Sequence, residues 1–164
     1  VEKPPFVEVV DIKSAQDMFD AVTSRAPDMD IIIKAAAVSD YTPATVADSK
    51  MKKKDGDLSI PLKRTQDILK YLGEHRHDGQ IICGFSMETE NMLENSRRKL
   101  QKKNVDMICA NNLKQEGAGF GVDTNVVSVL SEEGMTEYPK MSKKDVANKI
   151  LDHVERIFTC NTRK

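Results

Sequence analysis

The stretch Asp30-Ile31-Ile32-Ile33-Lys34-Ala35-Ala36-Ala37-Val38-Ser39-Asp40-Tyr41 decides how this chain is read. Asp30 to Ala37 reads as a strand, apolar in its first half, as a strand covered on both faces requires. It runs out into small residues, then an acid and an aromatic, and Lys50 follows ten residues after Asp40. Small residues let a ligand approach the backbone, and polar groups beyond them can read it. In open parallel sheets ligands bind outside the carboxyl ends of strands. Asp40 is therefore a candidate acceptor for a ribose hydroxyl or a base amino group. The plainer alternative is an Asx turn that closes the strand.

Working outward, Phe6 to Val10 reads as another strand. Ser14 caps a helix with Asp17 in the capping-box position. Ala15, Met18, Phe19 and Val22 share one face of that helix, and Pro27 ends it. Tyr41 to Arg64 has no helical period. It carries Lys50, Lys52, Lys53 and Lys54, then Asp55-Gly56 between extended runs, which signals a hairpin. Pro61 keeps the second arm away from a sheet centre. This segment reads as a surface flap. Thr65 to Leu72 reads as a short helix, Gln80 to Ser86 as a buried strand, Thr89 to Lys103 as a helix and Val105 to Ala110 as a strand. A Gly-rich loop, Gly117 to Gly121, leads to a strand over Asn125 to Leu130, which Glu132-Glu133-Gly134 turns. Ser142 and Asp145 form a second capping box. The last helix runs to about Phe158 with Val146, Ile150, Val154 and Ile157 on its core stripe.

Strands alternating with helices predict an α/β, Rossmann-like three-layer fold with a mostly parallel sheet and a surface flap. The final strands are open to antiparallel pairing. Residues 1–164 read as one domain. They open on a strand with no earlier β-α unit, so the expectation is a domain lacking its N-terminal β-α portion.

Composition narrows the function classes. Hydrophobic residues make up 39% and charged residues 31%, a globular rather than disordered balance. The net charge of −1 and the 5% aromatic content argue against general nucleic-acid binding. No apolar run approaches the roughly 20 residues that span a bilayer. The odd count of cysteines, Cys83, Cys109 and Cys160, argues for reduced thiols and a cytoplasmic location. Neither they nor His75, His77 and His153 have the spacing of a metal site, so no protein-held metal is expected.

Two basic groups suit a polyanionic ligand. Lys50 leads the first, on the flap; a merely solvated loop is its plain alternative. Arg97, Arg98, Lys99, Lys102 and Lys103 form the second. Lys99 and Lys103 are four apart and share a helix face, where they can grip a triphosphate. The alternative is a charged outer face, with Glu94 pairing to Arg98. Phe85, after Gly84 at a strand end, can flank a nucleobase or belong to the core, while Glu88 and Thr89 can cap the next helix. Gly117-Ala118-Gly119-Phe120-Gly121 precedes a strand rather than a helix, which rules out a dinucleotide fingerprint there.

Several motifs in order carry a resemblance: Ala35 to Tyr41, Lys50-Met51-Lys52-Lys53, Thr65-Gln66-Asp67-Ile68, Gly84-Phe85-Ser86-Met87-Glu88-Thr89, Lys99 to Lys103, Asp106 to Asn111, and Gly119-Phe120-Gly121 with Asp123 and Asn125. Together they resemble bacterial phosphopantothenate–cysteine ligase, the synthetase half of the bifunctional coenzyme A biosynthesis protein. The resemblance covers nearly the whole chain. It implies that 4′-phosphopantothenate attacks CTP to give an acyl-cytidylate and pyrophosphate, and that cysteine then displaces CMP. It implies Mg2+ with the triphosphate, a homodimer, and neither nucleic acid nor membrane as partner. By position it assigns CTP contacts to Asp40, Phe85, Lys99 and Lys103 and to Thr65, Gln66, Asp67 and Ile68, and makes Lys50 the catalytic lysine. Two departures stand out. The family often has proline where Gln66 stands, and its Gly- and Ser-rich N-terminal motif has no counterpart here, which implies that these residues alone are inactive. The flavin-dependent decarboxylase half is absent as well. The rival readings are a non-catalytic nucleotide-binding domain of the same fold and a basic-patch interaction module.

Overall fold

The structure, a computed structural model, describes residues 3–47, 49–52, 56–88, 92–112 and 121–161. Helix α1 spans Ala15–Arg25 and is followed by a 3-10 turn over Ala26–Asp28. Strand β1 spans Ile31–Lys34, and β2 (Tyr41–Pro43) pairs with β3 (Leu62–Arg64). Then come α2 (Ile68–Glu74), β4 (Ile81–Glu88), α3 (Met92–Lys103), β5 (Met107–Asn112), β6 (Thr124–Ser131), β7 (Gly134–Ser142) and α4 (Lys143–Asn161).

The main sheet has the order β1-β4-β5-β6-β7. Its first three strands are parallel, and β6 and β7 are antiparallel additions. Alternate residues of β4 and β5 point to opposite faces, as a period of two demands. Ile81, Cys83, Met107 and Cys109 join Val127 and Val129 under Val146, Ile150 and Val154 of α4. Ile82 and Ile108 join Leu130 under Ile68, Leu69 and Leu72 of α2, Leu100 of α3 and Val105. Met18, Phe19 and Val22 of α1 pack against that second cluster. The result is the expected three-layer α/β arrangement. Cys83 and Cys109 lie 3.6 Å apart, sulfur to sulfur. Hydrogen bonding to Cys109 and burial push the Cys83 thiol far up, so both members of the pair act as small core residues.

The local signals hold where their partners are local. Ser14 accepts from the Asp17 N–H, and Asp17 accepts from the Ser14 N–H in return. Ser142 likewise accepts from the Asp145 N–H, but its hydroxyl donates to the Asp145 carboxylate at 2.6 Å, so this acid grips the cap's side chain. Ser131 pairs with Gly134 across a two-residue turn, and Gly134 takes φ +138°. Pro139, which has no N–H to give, sits on edge strand β7 where the register slips between Asn125 and Val127.

Three expectations are corrected. Phe6 to Val10 forms no strand: it lies across a cavity of about 560 Å³ from β1 rather than at ladder distance. Strand β1 is shorter than Asp30 to Ala37 and is covered on one face, with Ile31 42% and Ile33 40% exposed. Helix α2 starts at Ile68, because the Asp67 carboxylate rather than Thr65 accepts the Lys70 N–H, at 3.0 Å. The side chain of Glu88, with Thr89, the Asp55 half of the Asp55-Gly56 turn, Lys53, Lys54 and residues 117–120 of the Gly-rich loop, lies outside what the structure describes.

Asp106 fixes how the sheet starts. Its carboxylate accepts the Ile82 N–H at 2.7 Å and pairs with Arg76 at 2.9 Å. Arg76 also donates to the carbonyls of Gln80 and Asn104, and Gln80 donates to those of Ala26 and Met29. Both members of the ion pair are only about one-fifth exposed. Asp106→Ala therefore strands a cation and an N–H in a mostly dry setting. It is expected to cost about 2–3 kcal/mol in urea unfolding, and a loss under about 0.5 kcal/mol would show that the network contributes little.

Candidate functional site

The carboxyl ends of β1 and β4 form the site's floor. Lys34 ends β1 and pairs in register with Gly84 of β4. Strand β4 then runs on to Glu88, so among the described residues its β1-facing edge beyond Gly84 has no strand partner. A methyl group at Gly84 would meet Leu69 Cδ2 at 2.5 Å, so α2 lies directly on this end of the sheet. That contact holds the start of α2, with Asp67 as its cap, over the strand ends.

After β1 the chain turns at Ser39, whose hydroxyl donates to the Tyr41 carbonyl at 2.9 Å. The Thr65 hydroxyl donates to the Ser39 carbonyl at 2.6 Å, and the Thr65 N–H to the Asp40 carbonyl at 3.0 Å. Asp40 and Thr65 are thus clamped together at the root of the β2–β3 ribbon. Tyr41 pairs with Arg64, whose guanidinium lies 5.9 Å from the Tyr41 ring centre. The ladder ends with Ala44 N–H to the Pro61 carbonyl at 2.8 Å, and the flap's longer loop, carrying Lys50, leaves from there.

Charge gathers beside Asp67. Lys103, the last residue of α3, pairs with the Asp67 carboxylate. Lys99 and Lys103, with Arg98, Lys102 and Asn95, line a cavity of about 460 Å³ along α3. Lys34 feels Asp67, Lys99 and Lys103 together. Burial raises the Asp67 carboxyl, but the bonds from Lys103 and the Lys70 N–H and the charges of Lys103 and Lys34 outweigh it and leave it below the usual carboxylate value. Burial, reinforced by Lys99 and Lys103, holds the Lys34 ammonium below the usual lysine value against the pull of Asp67. Lys103 pairs with Asp67, and Lys34 feels Lys99, Lys103 and Asp67, so cationic side chains gather at the strand ends, an arrangement suited to a polyphosphate.

The structure thus brings together Asp40 with Thr65, Asp67 with Lys103, and Lys103 with Lys99 along the α3 cavity. Gln66 is exposed between these two groups. The Ile68 side chain is 2% exposed and belongs to the core, so this residue can meet a ligand only through its backbone. Phe85 is not brought to the lysines: it packs half-buried on the α4 side, opposite the face that carries Gly84 and α2. Lys50 is exposed on the flap and has no ion-pair partner among the described residues. Arg98 reaches Asn95 at 3.5 Å rather than Glu94. Lys34 is the residue that sequence reasoning passed over; a long cation closing an Ile-Ile-Ile run was its signal.

This frame of strand ends, ribbon and basic helix face can be set beside known proteins. A profile of the "DNA/pantothenate metabolism flavoprotein C-terminal domain" family matches residues 1–158. The chain belongs to that family. It is 49% identical over 148 residues to the coenzyme A biosynthesis bifunctional protein CoaBC of Bacillus subtilis (strain 168), covering 90% of this chain and 36% of that protein. It is 38% identical over 154 residues to a cysteine/cysteine sulfinic acid decarboxylase of an unknown prokaryotic organism, covering 93% and 42%. The chain therefore spans well under half the length of these relatives. Among solved structures, the crystal structure of the C-terminal domain of CoaBC superposes with a TM-score of 0.78 at 39% identity, over 97% of this chain and 72% of that one. A Cab2 mutant H337A in complex with phosphopantothenate-cysteine superposes with a TM-score of 0.69 over 93% of this chain and 54% of that one; at 18% identity it shares the fold. The α/β fold and the relationship to the CoaBC C-terminal domain are thus established for this DNA/pantothenate metabolism flavoprotein family member. No helix among its described residues is long and apolar enough to cross a membrane.

Proposed function

We propose that this chain serves coenzyme A biosynthesis as a phosphopantothenate–cysteine ligase that uses CTP. The carrying observation is the basic face of α3, where Lys99 and Lys103 line one cavity and Lys103 pairs with Asp67 at the start of α2. The 49% identity to a CoaBC protein and the cargo of the Cab2 complex support the same reading.

The chemistry needs what these residues offer. The carboxylate of 4′-phosphopantothenate attacks the α-phosphorus of CTP, the bond to the β-phosphate oxygen breaks, and pyrophosphate leaves. The cysteine amine then attacks the acyl carbon, loses a proton and expels CMP. The first step brings two anions together, so positioning and positive charge supply most of the catalysis. Lys99 and Lys103 hold the triphosphate, and Asp67 keeps Lys103 in place. Asp40 and the Thr65-Gln66 turn hold the sugar and base, and Ile68 contributes backbone. Phe85, turned to the α4 side, meets the base where the nucleotide reaches around the edge of β4 that outruns β1. Lys50 comes in on the flap, which closes over the acyl-cytidylate and excludes water. Mg2+ enters as part of the nucleotide substrate, held by phosphate oxygens and water, and a lysine-rich donor set suits those oxygens rather than the metal. The reading includes a homodimer in the cytoplasm.

A melting-temperature series tests it. CTP with Mg2+ at a hundredfold excess over Kd adds about 2.7 kcal/mol, and thus a rise of roughly 5–11 °C. ATP is expected to raise it less. Equal rises would remove the cytidine preference, and no rise with either would remove the nucleotide site.

A further inference from the structure

We infer that Lys34 is a third phosphate-binding cation of this site, acting with Lys99 and Lys103 on the same polyphosphate. The inference rests on the nucleotide-site reading above and extends it to a residue that reading's motifs do not include. Lys34 shares a sheet face with Ile32 and Gly84, because side chains two apart on a strand, and those in register on a parallel neighbour, point the same way. On that face Leu69 sits against Gly84, which sets the Asp67 cap near the end of the Lys34 side chain.

The surroundings leave Lys34 under-compensated. Its ammonium donates to the Ala36 carbonyl at 3.3 Å, a long bond for a charged donor, and forms no ion pair with a described residue. The carboxylate that attracts it, Asp67, is already held by Lys103 and by the Lys70 N–H. Lys34 is half-buried, so water compensates it only in part. Lys99 and Lys103 both repel it. A half-buried ammonium that feels two like charges, while the carboxylate that attracts it is already engaged, is an unfavourable arrangement in the empty protein. An anionic ligand between the three removes the repulsion. The position fits the ligand too: the residue ends a parallel strand, beside the strand edge that β4 leaves open.

The test compares wild type, Lys34→Met and Lys34→Arg on the full chain by titration calorimetry with inorganic pyrophosphate and with CTP, alongside the ligand-free melting temperature. Lys34→Met is expected to weaken both ligands about tenfold or more. Its ligand-free melting temperature is expected to equal or exceed that of wild type, because a repelled, half-buried charge has gone. Lys34→Arg is expected to recover most of the affinity. Wild type that binds with Lys34→Met unchanged in affinity would overturn the inference and leave the ligase reading standing. A ligand-free melting temperature several degrees lower in Lys34→Met would overturn it as well, by making Lys34 a structural support. Wild type that binds neither ligand would overturn the nucleotide reading and this inference together.

Discussion

Lys50→Ala is expected to cut acyl-cytidylate formation about a hundredfold or more while the melting temperature stays within a degree or so of wild type. The two halves of that expectation come from different places. Lys50 is exposed and unpaired among the described residues, so its removal disturbs no packing, and surface changes of this kind stay within about 0.5 kcal/mol. Its proposed task is to meet charge that builds on the α-phosphate and the departing pyrophosphate. Loss of one such electrostatic partner typically costs about 2.7–4 kcal/mol of barrier, which is a hundredfold or more in rate. The measurement is pyrophosphate release from CTP and 4′-phosphopantothenate, made on the intact protein. Lys50 is exposed on the flap and is not among the residues that line the α3 cavity, so the role requires the flap to close. Turnover that is unchanged in Lys50→Ala would remove both the role and the closure.

Gly73→Ala is expected to be the most destabilising small substitution in the chain, at about 3 kcal/mol or more, beyond the usual range for one extra methylene. The cause is a backbone-to-backbone contact. A methyl group at Gly73 would lie 1.7 Å from the Lys103 carbonyl oxygen and 2.9 Å from that of Asn104. Those oxygens cannot move aside cheaply. Asn104 takes φ +50° after the last turn of α3, its N–H bonds to the Gln101 carbonyl, and the Val105 N–H bonds to that of Leu100. This is the left-handed helix ending in which the chain's direction is set by its own carbonyls. Asn104 also donates its side-chain N–H to the Gly73 carbonyl at 2.7 Å, which ties the two helix ends together. Separating α2 from α3 would pull Asp67 away from Lys103, so CTP affinity is expected to fall along with stability. Urea unfolding reads the first effect and calorimetry the second. Native stability in Gly73→Ala would mean that α2 and α3 tolerate a wider spacing.

Much of the fold is legible because its determinants lie close in sequence. The caps at Ser14 and Ser142 need only a carboxylate three residues on, and the stripe Val146, Ile150, Val154, Ile157 needs only the helical period. The apolar runs around Ile82 and Ile108 announce buried strands whatever their order. The misreadings have the opposite character. Phe6 to Val10 alternates like a strand, but a strand exists only where an edge lies within hydrogen-bonding distance, and a cavity intervenes. Thr65 reads as the first residue of a helix and instead holds the loop after β1, a contact across 26 residues. For Phe85 the sequence leaves base and core both open, and only the parity of β4 shows that it turns to the α4 side while Gly84 and Lys34 face α2. Lys34 gains significance only once Asp67, Lys99 and Lys103 are known to surround it.

The amino-acid order alone therefore settles the kinds of element, most of their ends, the three-layer class and the family, because each rests on periodicity, caps or an ordered series of motifs. Tertiary structure alone decides which strand is left at the edge, which face each residue at the strand ends presents, and which cations share a carboxylate. Those outcomes turn on register between segments tens of residues apart, where a shift of one position reverses every side chain. For this chain, that register turns a lysine at the end of an isoleucine run into part of a charged cluster.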